Sequence, residues 1–153
     1  MLSINWFDFI GLFLFLAGFI IGLGAVTVID IHGFLGRRSA YWTEATTRTH
    51  KVTKPMIWVG IALTILGGLF LYRDTAFVGI PLIHACIALV LIANGYFLSF
   101  KVSPFLLERE RMGKQQELLP ASWQRKIMVG LILSDIGWWG GLFLLVWFIL
   151  TAL

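Results

Sequence analysis

The stretch Phe9–Ile29, FIGLFLFLAGFIIGLGAVTVI, decides what kind of protein this is. Its 21 residues contain no Asp, Glu, Lys or Arg. A helix rises 1.5 Å per residue, so about 20 apolar residues cross a hydrocarbon core of about 30 Å. Three further runs meet the same test: Met56–Tyr72 (17 residues), Val78–Phe100 (23) and Met128–Leu150 (23). The second is near the lower limit of about 17, and Trp58 and Tyr72 serve it as interface anchors. The expected fold is therefore all-α: one transmembrane domain over residues 1–153, a four-helix up-down-up-down bundle.

Composition agrees. The chain is 59% hydrophobic and 13% charged, with a mean hydropathy of +0.88. A soluble domain carries about 25% charged residues, so this chain has too little polar surface to cover itself in water. A net charge of +4 and a pI near 9.6 raise the question of a nucleic-acid partner. The basic residues lie beside apolar spans instead, which makes the lipid bilayer the expected partner and excludes nucleic acid. Cys86 is the lone cysteine, so neither a disulfide nor a paired-cysteine metal site can form within the chain.

Charge also sets the orientation. Arg37, Arg38, Arg48, Lys51 and Lys54 follow the first span; Lys101, Arg109, Arg111, Lys114, Arg125 and Lys126 follow the third. Only Arg73 lies between the second and third. Loop lysines and arginines stay inside, so residues 30–55 and 101–127 are expected as cytoplasmic loops, with both termini outside. The plasma (inner) membrane is the expected location. The first span lacks the basic lead of a signal peptide and reads as an uncleaved N-out anchor.

Lipid does not drive apolar helices together, so close packing of small residues must. Gly11, Gly18, Gly22 and Ala25 share one face of the first helix; Gly130, Ser134, Gly137 and Gly141 share one face of the fourth. Packing within the bundle is the plainer use of Gly18, Gly22, Gly137 and Gly141. Contact with other membrane subunits or a second copy is the alternative. Outside the spans, Thr43–Thr53 has no Gly or Pro and reads as a helical extension into Pro55. Pro104–Leu119 reads as a short amphipathic stretch, at headgroup level or solvated.

Ionisable groups in a bilayer cost about 2.5–3.5 kcal/mol each and point to function. Asp135, eight residues into the fourth span, lies roughly 10–12 Å deep, and Asn94 has a similar depth in the third. A hydrogen bond between them, with Ser134 helping, would be either a clasp or part of a proton path. Asp30, His32 and His50 share the cytoplasmic interface, and imidazole with carboxylate suits zinc or iron. Water and headgroups satisfying the same three is the plainer reading. His84 lies roughly 10 Å deep from the outer side, as a neutral interhelical histidine or a haem ligand. His32 and His50 are some 20 Å away, so no intrachain pair of histidines can hold one haem.

The segment His84-Ala-Cys-Ile-Ala-Leu-Val-Leu-Ile-Ala-Asn-Gly-Tyr96 resembles the third helix of the HemJ-type protoporphyrinogen oxidases and the related CopD-like membrane proteins. Thr53-Lys54-Pro55-Met56, followed by Gly60 and Gly67, is similar to that family's second-helix start. The resemblance implies a small four-helix bundle with haem or porphyrin chemistry at His84. The family's lysine two residues after the histidine is Cys86 here, its terminal histidine is Phe97, and the first span holds no histidine.

Three functions follow as expectations. The first is an accessory or assembly subunit without catalysis of its own. The second is a haem- or porphyrin-linked redox protein using His84, and the third a small proton-linked transporter using Asp135 and Asn94. No phosphate-binding glycine loop or nucleophile motif is present.

Overall fold

A computed structural model describes residues 5–152 of the chain. Among them every regular element is helical: α1 (Trp6–Gly36), α2 (Ala40–Leu71), α3 (Ile80–Phe97), α4 (Ser103–Arg111) and α5 (Ala121–Ala152). A π-helical turn, Leu98–Val102, joins α3 to α4 in one continuous rod, Ile80–Arg111. Four helical rods result, each long and apolar enough to cross a membrane.

Phe9–Ile29 and Met128–Leu150 lie inside longer helices, while Met56–Tyr72 overruns α2 by Tyr72 and Val78–Phe100 starts two residues before α3. At 32 residues, α2 measures about 48 Å, well beyond a hydrocarbon core of about 30 Å. Residues 30–55 are consequently not a loop. Only Arg37, Arg38 and Ser39 interrupt them. The Ser39 hydroxyl caps α2 by accepting from Trp42 N (3.5 Å), and Thr43 Oγ1 donates to Gly36 O across the break (2.8 Å). Thr43–Thr53 is helical as expected, and α2 runs on through Pro55. Thr46, Thr47 and Thr53 donate to carbonyls four residues back, so their hydroxyls need no outside partner. Pro104–Leu119 is only half helical: α4 stops at Arg111, and Gly113 takes a positive φ of 72°.

The glycine faces explain the packing. A Cβ on Gly60 would lie 2.5 Å from Gly22 Cα, one on Gly67 2.4 Å from Phe15 N, and one on Gly18 2.6 Å from Thr64 N. Backbone meets backbone here, with numbers rising along α1 as they fall along α2. On α5, Gly137 receives Leu91 and Gly141 receives Phe19, while Trp138 fills the hollow over Gly22. Gly18, Gly22, Gly137 and Gly141 are thus consumed inside the chain, and an outside partner could not reach them without opening it. The core they frame comprises Phe15, Phe19, Leu23, Val26, Ile61, Leu91, Trp138 and Leu145. Large apolar side chains such as Ile20, Leu89, Ile136 and Leu150 point outward, as lipid solvent requires.

Contacts between segments bring the two basic stretches to one end. Lys51 pairs with Glu110 (2.7 Å), Gln116 donates to Glu44 (3.1 Å) and Lys54 to Ser99 O (3.3 Å). The other end is tied by Arg73, which pairs with Asp8 and Asp74 at 2.8 and 2.9 Å.

Gly60→Ala should lower stability by about 1–3 kcal/mol, because the new methyl meets backbone that cannot swing aside. Gly140→Ala, where a Cβ meets nothing within 4 Å, should leave it unchanged or higher. Thermal unfolding in detergent compares the two.

Candidate functional site

Three polar clusters lie between the helices. The first is at the Arg73 end. His84, in the opening turns of α3, has Tyr72 Oη 2.8 Å from Nδ1 and Gly141 O 2.8 Å from Nε2. A carbonyl can only accept, so Nε2 carries the hydrogen and Nδ1 accepts from the Tyr72 hydroxyl. Phe15 packs edge-on against the ring, with centroids 5.3 Å apart. His84 thereby ties α2, α3 and α5 together as a neutral imidazole. Both nitrogens are engaged and no lone pair remains for iron. With His32 and His50 at the opposite end, these residues do not fit a haem.

The second cluster corrects the expected Asp135–Asn94 bond. Asn94 Nδ2 donates to Gly130 O (2.8 Å) and to Ser134 Oγ (3.2 Å), joining α3 to α5. The clasp exists, with Ser134 rather than Asp135 as its side-chain partner. The reason is angular: consecutive residues lie about 100° apart around a helix, so Ser134 and Asp135 cannot face the same neighbour. Gly130 permits the approach, since a Cβ there would lie 3.2 Å from Asn94 Oδ1.

Asp135, half-buried on α5, makes no hydrogen bond to Asn94, and the third cluster, at the basic end, centres on Asp30 of α1, a helix that packs against α5. Asp30 is 8% exposed, and no protein group bonds its Oδ2. Beside it is a cavity of about 70 Å³ enclosed by α1, α2, the α3–α4 rod and α5. Apolar side chains make most of its wall; Asp30, His50, Lys54, Ser134 and Trp138 are among the polar exceptions. His50 Nε2 and Trp138 Nε1 are also buried with no hydrogen-bond partner. Lys54 donates to Ser99 O, and Trp58 Nε1 donates to Ser99 Oγ at 3.1 Å. Ser99, the acceptor in both bonds, lies in the π turn. Lys54 makes no ion pair among the described residues.

The expected trio of Asp30, His32 and His50 does not assemble. No group of three His, Cys, Asp or Glu side chains is placed to hold a metal ion among the described residues. Residues two apart on a helix point about 200° apart, so Asp30 faces the cavity while His32 faces away. His32 Nδ1 is 3.1 Å from Thr49 Oγ1, and its ring lies against Trp42.

Compared with family models, curated proteins and solved structures, the chain matches none of them.

Two outcomes follow. Asn94→Leu should cost about 1 kcal/mol in thermal unfolding, the usual scale of an interhelical hydrogen bond in a membrane protein. Protein purified after expression with added haem should show no Soret band; a band that disappears in His84→Ala would show that the ring can leave Tyr72 and Gly141.

Proposed function

We propose that the chain is a small multi-pass membrane protein that holds an exchangeable proton on the Asp30–Asp135 pair and acts as a proton-linked carrier. The four rods then cross the inner membrane in up-down-up-down order, with both termini outside. The basic end faces the cytoplasm by the positive-inside rule. What supports the reading is that Asp30 and Asp135 stand on two helices that pack together, α1 and α5, with neither in an ion pair among the described residues. Two carboxylates brought together repel, so on this reading they meet around one shared proton. Intramembrane carboxyls facing a bundle interior are the usual parts of proton relays. The reading asks no covalent chemistry of the chain. It keeps the transporter function expected from Asp135, gives Asp135 a different partner, and leaves Asn94 as a clasp.

Infrared spectra of the protein in lipid nanodiscs test it. Wild type should show a protonated-carboxyl C=O band that shifts in D2O and is absent from both Asp30→Asn and Asp135→Asn. With a potential imposed across liposomes, wild type should admit protons faster than either variant. A missing band in wild type, or equal proton entry in all three proteins, would overturn the reading.

A further inference from the structure

On the outside of the bundle, α3 and α5 leave an open groove of about 680 Å³ toward the basic end. Sites for small ligands have volumes of about 300–1,000 Å³. Val90, Ala93 and Phe97, three and four residues apart on α3, line one wall; Val129 and Leu133 line the other from α5. The buried Asn94 and Gly130 lie between the walls. Asn94 meets Gly130 and Leu91 meets Gly137, so the two helices are antiparallel. From Lys126 to Leu133 the groove therefore runs about 10 Å along the helices, at 1.5 Å per residue.

The mouth of the groove is basic. Ser122, Arg125 and Lys126 line it just ahead of the apolar run Met128–Leu150, at headgroup level for a helix that crosses a bilayer. Neither cation has a counter-ion among the described residues. The four glutamates, Glu44, Glu108, Glu110 and Glu117, pair with Arg48, Arg111, Lys51 and Arg109, and the two remaining ion pairs belong to Arg73. Lys126 is also held in place. Its Nζ lies 5.0 Å from the centre of the Trp123 ring, which stacks on Phe105 of α4 with centroids 4.0 Å apart.

Two unpaired cations above an apolar furrow complement an amphiphile with a negative head and a hydrocarbon tail. We infer that the α3–α5 groove binds an anionic phospholipid, with its phosphate on Arg125 and Lys126 and one acyl chain laid along the furrow toward Val90 and Leu133. Arg125 offers a fork that matches two phosphate oxygens, and Lys126 a compact point charge. Basic pockets between transmembrane helices commonly take anionic lipid headgroups. A second copy is a poor occupant, because an axis along the membrane normal would set the same cations of both copies at one depth. The site is independent of the proton-carrier reading, since neither Asp30 nor Asp135 lines it.

Native mass spectrometry of the detergent-purified chain, titrated with dioleoyl phosphatidylglycerol or dioleoyl phosphatidylcholine, tests the site. A single phosphatidylglycerol should bind more tightly than phosphatidylcholine. Arg125→Gln/Lys126→Gln should weaken phosphatidylglycerol binding roughly 30-fold, the worth of two cations beside an anionic headgroup. Arg38→Gln/Lys101→Gln removes the same charge outside the groove and should leave binding unchanged. Ala93→Trp keeps both cations but fills the furrow, and should also weaken binding. Thermal unfolding shows which variants are folded, and Arg125→Gln or Val129→Trp stands in for one that is not. Equal affinity for the two lipids, equal loss in both double variants, or unchanged binding in either groove variant overturns the site. Full displacement by inorganic phosphate overturns it as well, as does a dimer whose formation excludes the lipid.

Discussion

Backbone-to-backbone contact between α1 and α2 is the constraint on which the rest of the bundle depends. In lipid there is no apolar surface to be hidden from water, so two helices hold together only as closely as their side chains allow. Gly11, Gly18 and Gly22 on α1 meet Gly60 and Gly67 on α2 without any intervening side chain. That approach places α1 deep in the bundle and opens the hollow over Gly22 that Trp138 of α5 enters. Phe15, Phe19 and Leu145 then complete the apolar core.

Polar groups are distributed according to what each helix pair needs. At the Arg73 end, His84 uses both ring nitrogens on neighbours and is satisfied. At mid-depth, Asn94 spends its amide on Gly130 and Ser134. The basic end differs. Asp30, His50 and Trp138 each retain a buried atom that the protein does not bond, and all three surround one cavity. The interhelical clasps of His84 and Asn94 are closed by their own partners, whereas the basic end keeps buried polar atoms that the protein leaves unbonded.

Much of this was legible in the sequence, and the failures have a common cause. Spans were readable because apolar runs of helical length have few other uses, as Phe9–Ile29 shows. The basic residues of 37–54 and 101–126 do share one end, as Lys51–Glu110 and Lys54–Ser99 demonstrate. Depth along the membrane was also readable, and it separated His84 from His32 and His50. Azimuth was not. Asp135 and Asn94 matched in depth, yet Asn94 bonds Gly130 and Ser134 instead, and Asp30 and His32 are two apart in sequence but oppositely directed. Asp30 and Asp135 are the only carboxyls within or bordering the apolar spans away from the Arg73 end, and that their helices α1 and α5 pack together is not given by sequence order. The π turn Leu98–Val102 itself carries neither Pro nor Gly, but Pro104 just beyond it has no N–H to give the carbonyl four residues back, which favours a shifted register there.

That turn has a consequence for the faces beyond it. A π turn closes its ring one residue later than an α-helical turn, so everything downstream is advanced by one residue, about 100° of rotation. Removing a single residue between Leu98 and Val102 would return the rod to plain α-helical phase. Glu110 would then swing away from Lys51, and Leu106, now buried, would be carried toward the outside. The rod therefore works as two segments set at different phases: α3 in register with the lipid-buried face of α5, and α4 in register with the basic extension of α2.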